Sequence, residues 1–111
     1  MDNLDAIYTQ MIVNMAERYR QTVDFLEIAM DRVAYHESRR DPLCKQWGGG
    51  PGRGLFQFEK GQNEGGETAM NRLLRWFSVN EINAPHWTRI STKYGVDATE
   101  VPKTGQDMMF L

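Results

Sequence analysis

The sequence predicts one mainly α-helical domain interrupted by a single glycine-rich loop, and three observations lead there. Apolar residues recur at spacings of three and four through most of residues 4–37 and again through 69–77. Eight of the ten glycines fall between residues 48 and 66. The 111 residues are 41% hydrophobic, which is enough for one small core in a length typical of one domain.

Composition closes several classes of function. A formal charge of −2 and a pI near 5.6 are opposite to the basic footprint of a general nucleic-acid binder, so no nucleic-acid partner is expected. No stretch approaches the ~20 apolar residues of a membrane span. The acidic start Met1-Asp2-Asn3-Leu4-Asp5 does not resemble a secretory signal. A lone cysteine, Cys44, cannot form an internal disulfide or a thiolate metal cluster.

The first element is a helix whose stripe is Leu4, Ile7, Tyr8, Met11, Ile12, Met15 and Tyr19, with Asp2 or Asn3 as its cap. The stripe reads as core packing, with partner docking as the alternative. A second helix runs from a Thr22 cap to about Glu37. Two apolar rows lie on it: Phe25, Ile28, Ala29 and Val33, and beside them Leu26, Met30, Val33 and Glu37. Glu37 is therefore expected on or beside the buried face at a helix C-terminus. Burial and the partial negative charge of the helix end both disfavour an ionised carboxylate there.

After Ser38 the composition changes. Trp47-Gly48-Gly49-Gly50-Pro51-Gly52-Arg53-Gly54 and the later Gly61, Gly65 and Gly66 flank an apolar island, Leu55-Phe56-Gln57-Phe58. Flexible linkers rarely carry four large apolar groups, so an ordered loop is expected, with glycines where the backbone turns left-handed or approaches another group closely. Helical spacing resumes at about Glu67-Thr68, with Ala69, Met70, Leu73, Leu74, Trp76 and Phe77. A shorter helix is expected to start at Pro85-His86-Trp87, with Trp76, Phe77 and Trp87 assigned to the core. The chain stops in Gln106-Asp107-Met108-Met109-Phe110-Leu111, which has the pattern of the first turns of a helix. The expectation from that apolar stop is the front part of a longer chain.

The tract Ala34-Tyr35-His36-Glu37-Ser38-Arg39-Arg40-Asp41-Pro42, followed by Gly50-Pro51-Gly52-Arg53-Gly54-Leu55-Phe56-Gln57-Phe58-Glu59, resembles the signature of lysozyme-like soluble lytic transglycosylases and goose-type lysozymes. That signature is a helix ending in Glu-Ser, a loop, then Gly-Leu-(Met or Phe)-Gln and an apolar residue. The likeness covers about residues 30–60 and is strongest to versions from bacteriophage virion or tail proteins. It implies a lysozyme-like helical fold and cleavage of peptidoglycan glycan strands, as a muramidase or lytic transglycosylase.

By that resemblance Glu37 protonates the glycosidic oxygen and then acts as base, so that the muramic acid 6-hydroxyl attacks C1 and leaves a 1,6-anhydro end. One tuned carboxyl group is enough for this chemistry, and no cofactor or metal is implied. Ser38 would orient Glu37 or bond substrate, the alternative being an ordinary residue of the helix end. Gly54 and Leu55 would supply backbone near the cleft floor. Gln57 would present its amide to sugar N-acetyl or hydroxyl groups, or brace the turn from inside. Trp47 and Phe56 would contact sugar faces or wall the cleft beside Glu37.

A second carboxylate would convert the reaction to a two-acid glycosidase. Among Asp41, Glu59, Glu64 and Glu67, the preferred choice is Glu59, directly after the apolar island. His36 reads as an exposed neighbour, and Arg39, Arg40, Lys45 and Arg53 as a solvated or anion-meeting face. The family's later Ala-Tyr-Asn-Ala-Gly-like element has no counterpart after residue 60 beyond the approximate Lys93-Tyr94-Gly95. Without a signal peptide, the protein is expected in the host cytoplasm at synthesis and at the bacterial wall in action, delivered by phage virion or tail proteins or a lysis partner. Two rivals remain: a non-catalytic structural component of a phage particle that keeps the fold, and a small helical adaptor that docks through its first helix.

Overall fold

A computed structural model describes residues 4–83 and 95–111. Its elements, in order, are α1 (Leu4–Tyr19), α2 (Val23–Ser38), β1 (Gly52–Arg53), β2 (Phe58–Glu59), α3 (Gly65–Val79), a 3-10 turn (Ala98–Glu100) and α4 (Lys103–Phe110). The expected first-helix cap and the helix from Pro85, with Trp87 and Lys93-Tyr94, fall outside the described residues. The architecture is mainly helical, as predicted. Helix α4 packs against α1 and α3, α1 packs against α2, and the antiparallel pair β1–β2 sits on the start of α3.

The core has an unusual filling. Six of the seven methionines (Met11, Met15, Met30, Met70, Met108 and Met109) are buried in one cluster with Leu55, Phe56, Leu73 and Phe77. Unbranched thioether side chains fit irregular gaps, which is what four helices of unequal length leave between them. The α1 stripe packs as expected: Met11, Ile12 and Met15 are buried, Leu4, Ile7 and Tyr8 lean on the cluster, and Tyr19 stays half exposed.

Helix α2 corrects the sequence expectation. Thr22 caps it as predicted, its hydroxyl accepting from the Phe25 N–H at 3.0 Å. Its buried residues, however, are Met30, Ala34 and Ser38, while Phe25 and Ile28 are 53% and 54% exposed. Steps of four carry the buried seam from Met30 through Ala34 to Ser38, so the seam passes one residue beyond Glu37. Glu37 is exposed. The burial expected of it is absent, although the helix end is where it was placed.

That end is a tight left-handed stop. The Arg39 N–H donates to Tyr35 O and the Arg40 N–H to Ala34 O, with φ of 55° and 65° at the two arginines. The two bonds turn the backbone N–H groups that leave the helix back onto carbonyls of its last turn. Glycine ordinarily takes such a position. Two consecutive arginines here store strain of order 1–3 kcal/mol each.

Between α1, α2 and α4 lies a cavity of about 200 Å³ lined in part by Tyr8, Glu27, Met30 and Asp107. Burial, with the carboxylates of Glu27 and Asp107 nearby, pushes the Tyr8 phenol up to about 12. Burial also pushes the Asp107 carboxyl above the ordinary carboxylate range, against the opposing pull of Lys103 at 2.9 Å. A carboxyl whose folded value is raised holds its proton more tightly in the native state. Its contribution to stability is therefore full below the unfolded value and is lost as pH rises through the folded one. Asp107→Asn should raise the thermal midpoint at pH 7, with the difference from wild type closing below about pH 4. Melting curves across that range check it, and an equal shift at every pH would contradict the burial argument.

Candidate active site

The two halves of the Glu-Ser and Gly-Leu-Phe-Gln pattern are joined by a continuous run of hydrogen bonds. The Asp41 N–H donates to Ser38 O at 3.1 Å, and the Cys44 N–H donates to Asp41 O at 3.1 Å. Cys44 O then accepts from the Gly54 N–H at 2.8 Å and from Gln57 Nε2 at 3.2 Å. The helix carrying Glu37 is thus fixed to the apolar island through backbone and one amide side chain. An Asx turn at Asp41, whose carboxylate accepts from the Leu43 N–H at 2.9 Å, sets the direction of the intervening chain.

The glycine-rich stretch carries backbone hydrogen bonds and a short strand pair. Gln46 N–H donates to Gly52 O, Lys45 bridges to Arg53, and β1 pairs with β2 in the register Gly52↔Glu59 and Arg53↔Phe58. Residues 54–57 form a turn, and of the apolar island only Phe58 enters the strand pair, with Glu59 after it. The hairpin tip holds Trp47, 97% exposed, with Gly48 and Gly49 at positive φ. Arg53 folds back over that tip: its Nη1 donates to Gly50 O at 2.7 Å and Gly52 O at 2.8 Å, and its Nε lies 3.7 Å from Asp97. Burial alone would raise the Asp97 carboxyl. Hydrogen bonds from the Thr99 hydroxyl and N–H, with the Arg53 charge, lower it instead.

Each predicted residue now has a place. Ser38 is buried, and its hydroxyl donates to Ala34 O at 2.9 Å, so it ties down the helix end and does not reach Glu37. Gln57 turns its amide inward, Nε2 donating to Gly54 O at 2.8 Å as well as to Cys44 O, at a left-handed φ of 54°. Of its two expected roles, the bracing one is what the turn uses. Leu55 is 1% exposed, and Phe56 is buried and stacked on Phe110 with centroids 4.5 Å apart. Both side chains belong to the buried core cluster and are not free to touch a sugar. Exposed groups number three among the predicted set: Glu37, Glu59 and Trp47. Glu37 has no hydrogen-bond or ion-pair partner for its side chain among the described residues.

One residue that organises the site was not anticipated. Gln106 on α4 is fully buried, and its amide makes three hydrogen bonds to backbone groups. Oε1 accepts from the Leu55 N–H at 2.7 Å, while Nε2 donates to Pro42 O at 3.0 Å and Val101 O at 2.9 Å. Gly54 is its counterpart. With φ at +79°, a Cβ added at Gly54 would overlap Gln106 Oε1 and crowd Ala98. The only signal in the sequence was a polar residue opening an apolar run.

The chain matches no family model, no curated protein and no solved structure. No helix among the described residues is long and apolar enough to cross a membrane.

Gln106→Met keeps the volume and removes all three bonds, leaving the Leu55 N–H and two carbonyls without their partner. Since each orphaned buried group costs about 1–3 kcal/mol, unfolding free energy should fall by about 3 kcal/mol or more. Urea titration measures it, and a loss under about 1 kcal/mol would mean that water replaces the amide.

Proposed function

We propose that this chain carries a lysozyme-like site that cleaves peptidoglycan glycan strands, with Glu37 as the general acid and base. The observation that supports it best is the hydrogen-bond run from Ser38 through Asp41 and Cys44 to Gly54 and Gln57, which holds the Glu-Ser helix end against the Gly-Leu-Phe-Gln turn. These bonds link the two pieces of the resemblance, which lie 17 positions apart in sequence. Trp47 is an exposed indole next to two glycines at positive φ, suited to stack on the apolar face of a sugar.

In the proposed reaction Glu37 gives its proton to the glycosidic oxygen as the C1–O bond breaks. The carboxylate so formed then takes the proton of the muramic acid 6-hydroxyl as that oxygen bonds to C1. The products are a strand with a free 4-hydroxyl and a 1,6-anhydromuramic end. If water replaces the 6-hydroxyl, the product is a reducing end, and Glu59 on the exposed edge of β2 is the carboxylate that would position that water. Because Glu37 is exposed in the free protein, the desolvation that turns a carboxyl group into a proton donor has to come from the bound glycan. Delivery to the wall within a phage particle belongs to the same proposal.

The exposure of Glu37 favours a second function, a phage structural component that keeps this fold without turnover. Mass spectrometry of soluble products from intact peptidoglycan separates the two. Anhydromuramic ends released by wild type and lost in Glu37→Gln are the expected outcome, with a fall in rate of at least about 10²-fold. Release of nothing by either protein leaves the structural component. Trp47→Ala is expected to weaken kcat/KM about tenfold and leave the melting temperature unchanged, since the indole packs on nothing. An unchanged kcat/KM would remove Trp47 from the sugar site.

A further inference from the structure

A groove of about 540 Å³ runs between α1, α3 and the end of α4. Its floor is apolar: Met11, Met15 and Leu111 are buried, and Val79 on its edge is 76% exposed. Its charged lining side chains are Arg18, Arg72 and Arg75, with no side-chain carboxylate among the lining residues. In a chain whose net charge is −2, this is a local reversal of sign. None of the three arginines has a carboxylate within ion-pair distance among the described residues. Arg72 is partly committed, donating to Met109 O at 2.8 Å, while Arg18 and Arg75 are exposed. Trp76, also in the lining, has a buried indole N–H with no acceptor.

We propose that this groove docks an acidic amphipathic helix from a partner protein. Its volume takes roughly three or four aliphatic side chains, which is the anchor set of a helix laid in a groove at i, i+3 or i+4, and i+7. Carboxylates flanking those anchors meet Arg18 and Arg75, where a planar guanidinium binds a carboxylate through two parallel bonds. A nucleic acid fits less well, because a floor of methionine and leucine offers nothing to phosphates or base edges. A second copy of this chain would bring Phe25 and Ile28 with Asp24, Glu27 and Asp31 beside them, but it offers two anchors where the groove takes three or four, and Arg32 stands in the same row. The docking site does not depend on glycan cleavage.

The test uses two fluorescent helical peptides of about fourteen residues with identical leucine anchors, one flanked by glutamates and one by lysines, titrated against wild type and Arg18→Glu/Arg75→Glu. Both substituted residues are exposed, so the melting temperature of the double variant should match wild type. Wild type is expected to bind the glutamate peptide at least about tenfold tighter than the lysine peptide, and the double variant to reverse that order. Equal binding of the two peptides, or none, overturns the proposal. So does tighter binding of a single-stranded oligonucleotide, which would assign the groove to nucleic acid. Self-association of wild type that the double variant abolishes would assign it to a second copy instead.

Discussion

A buried amide has four hydrogen-bonding positions and no water to fall back on, and Gln106 shows what that requirement does to a small fold. Three of the four are filled by backbone groups, from the turn at Leu55, the chain leaving α2 at Pro42 and the turn before α4 at Val101. No two of these segments are neighbours in sequence on both sides, yet all must reach one side chain at once. The low dielectric that strengthens each bond also makes any missing one expensive. The amide therefore admits one arrangement of the helix end, the glycine-rich turn and α4. Phe56 stacked on Phe110 repeats the same link in apolar form one turn further along α4.

The glycine at 54 follows from this constraint. A left-handed φ alone would tolerate an asparagine, but the space a Cβ would occupy is already taken by Gln106 Oε1. Gly66 has the same logic at the start of α3, where a Cβ would come within 2.7 Å of Val96 O. At the far end of the run, Arg39 and Arg40 hold a left-handed stop that glycine would hold without strain. Both guanidinium groups lie over the Tyr35 ring, at 4.5 and 4.8 Å, and Arg40 also pairs with Asp31. These exposed contacts are individually weak. Hence the stop is held mainly by the hydrogen bonds that leave it, from Asp41 onwards.

Much of this was legible in the sequence, and where it was not the reason is geometric. The α1 stripe, the Thr22 cap and the α3 spacing are local patterns, and local patterns decide those elements. On α2 two apolar rows competed. Periodicity could not tell a seam stepping by four through Met30, Ala34 and Ser38 from one stepping to Glu37, because the choice depends on what packs opposite. Phe25 and Ile28 were assigned inward for the same reason. Gln57 had two readings, and the turn decides for the inward one because Cys44 O and Gly54 O both point at its amide. Gln106 was invisible because its partners are backbone groups, which no residue type advertises.

The proposed chemistry has to be reconciled with a glutamate in water. Two kinds of preparation are separable in a site that protonates a leaving oxygen: positional and electrostatic. Here the backbone that carries Glu37 is held, since the helix end, the turn and α4 share one bonded framework. The electrostatic part is left to the substrate, since Glu37 is exposed. A glycan lying between Trp47 and the Glu37 helix end would supply the missing cover with its own rings, so that proton donation improves only once substrate is seated. Binding energy spent on stripping water from the carboxylate appears in kcat and is lost from apparent affinity. Such a site would be weak on short sugars that leave Glu37 wet and strong on long strands that bury it. The same exposed carboxylate, left uncovered, has no chemistry to perform, which is the situation of a structural component built on an identical framework.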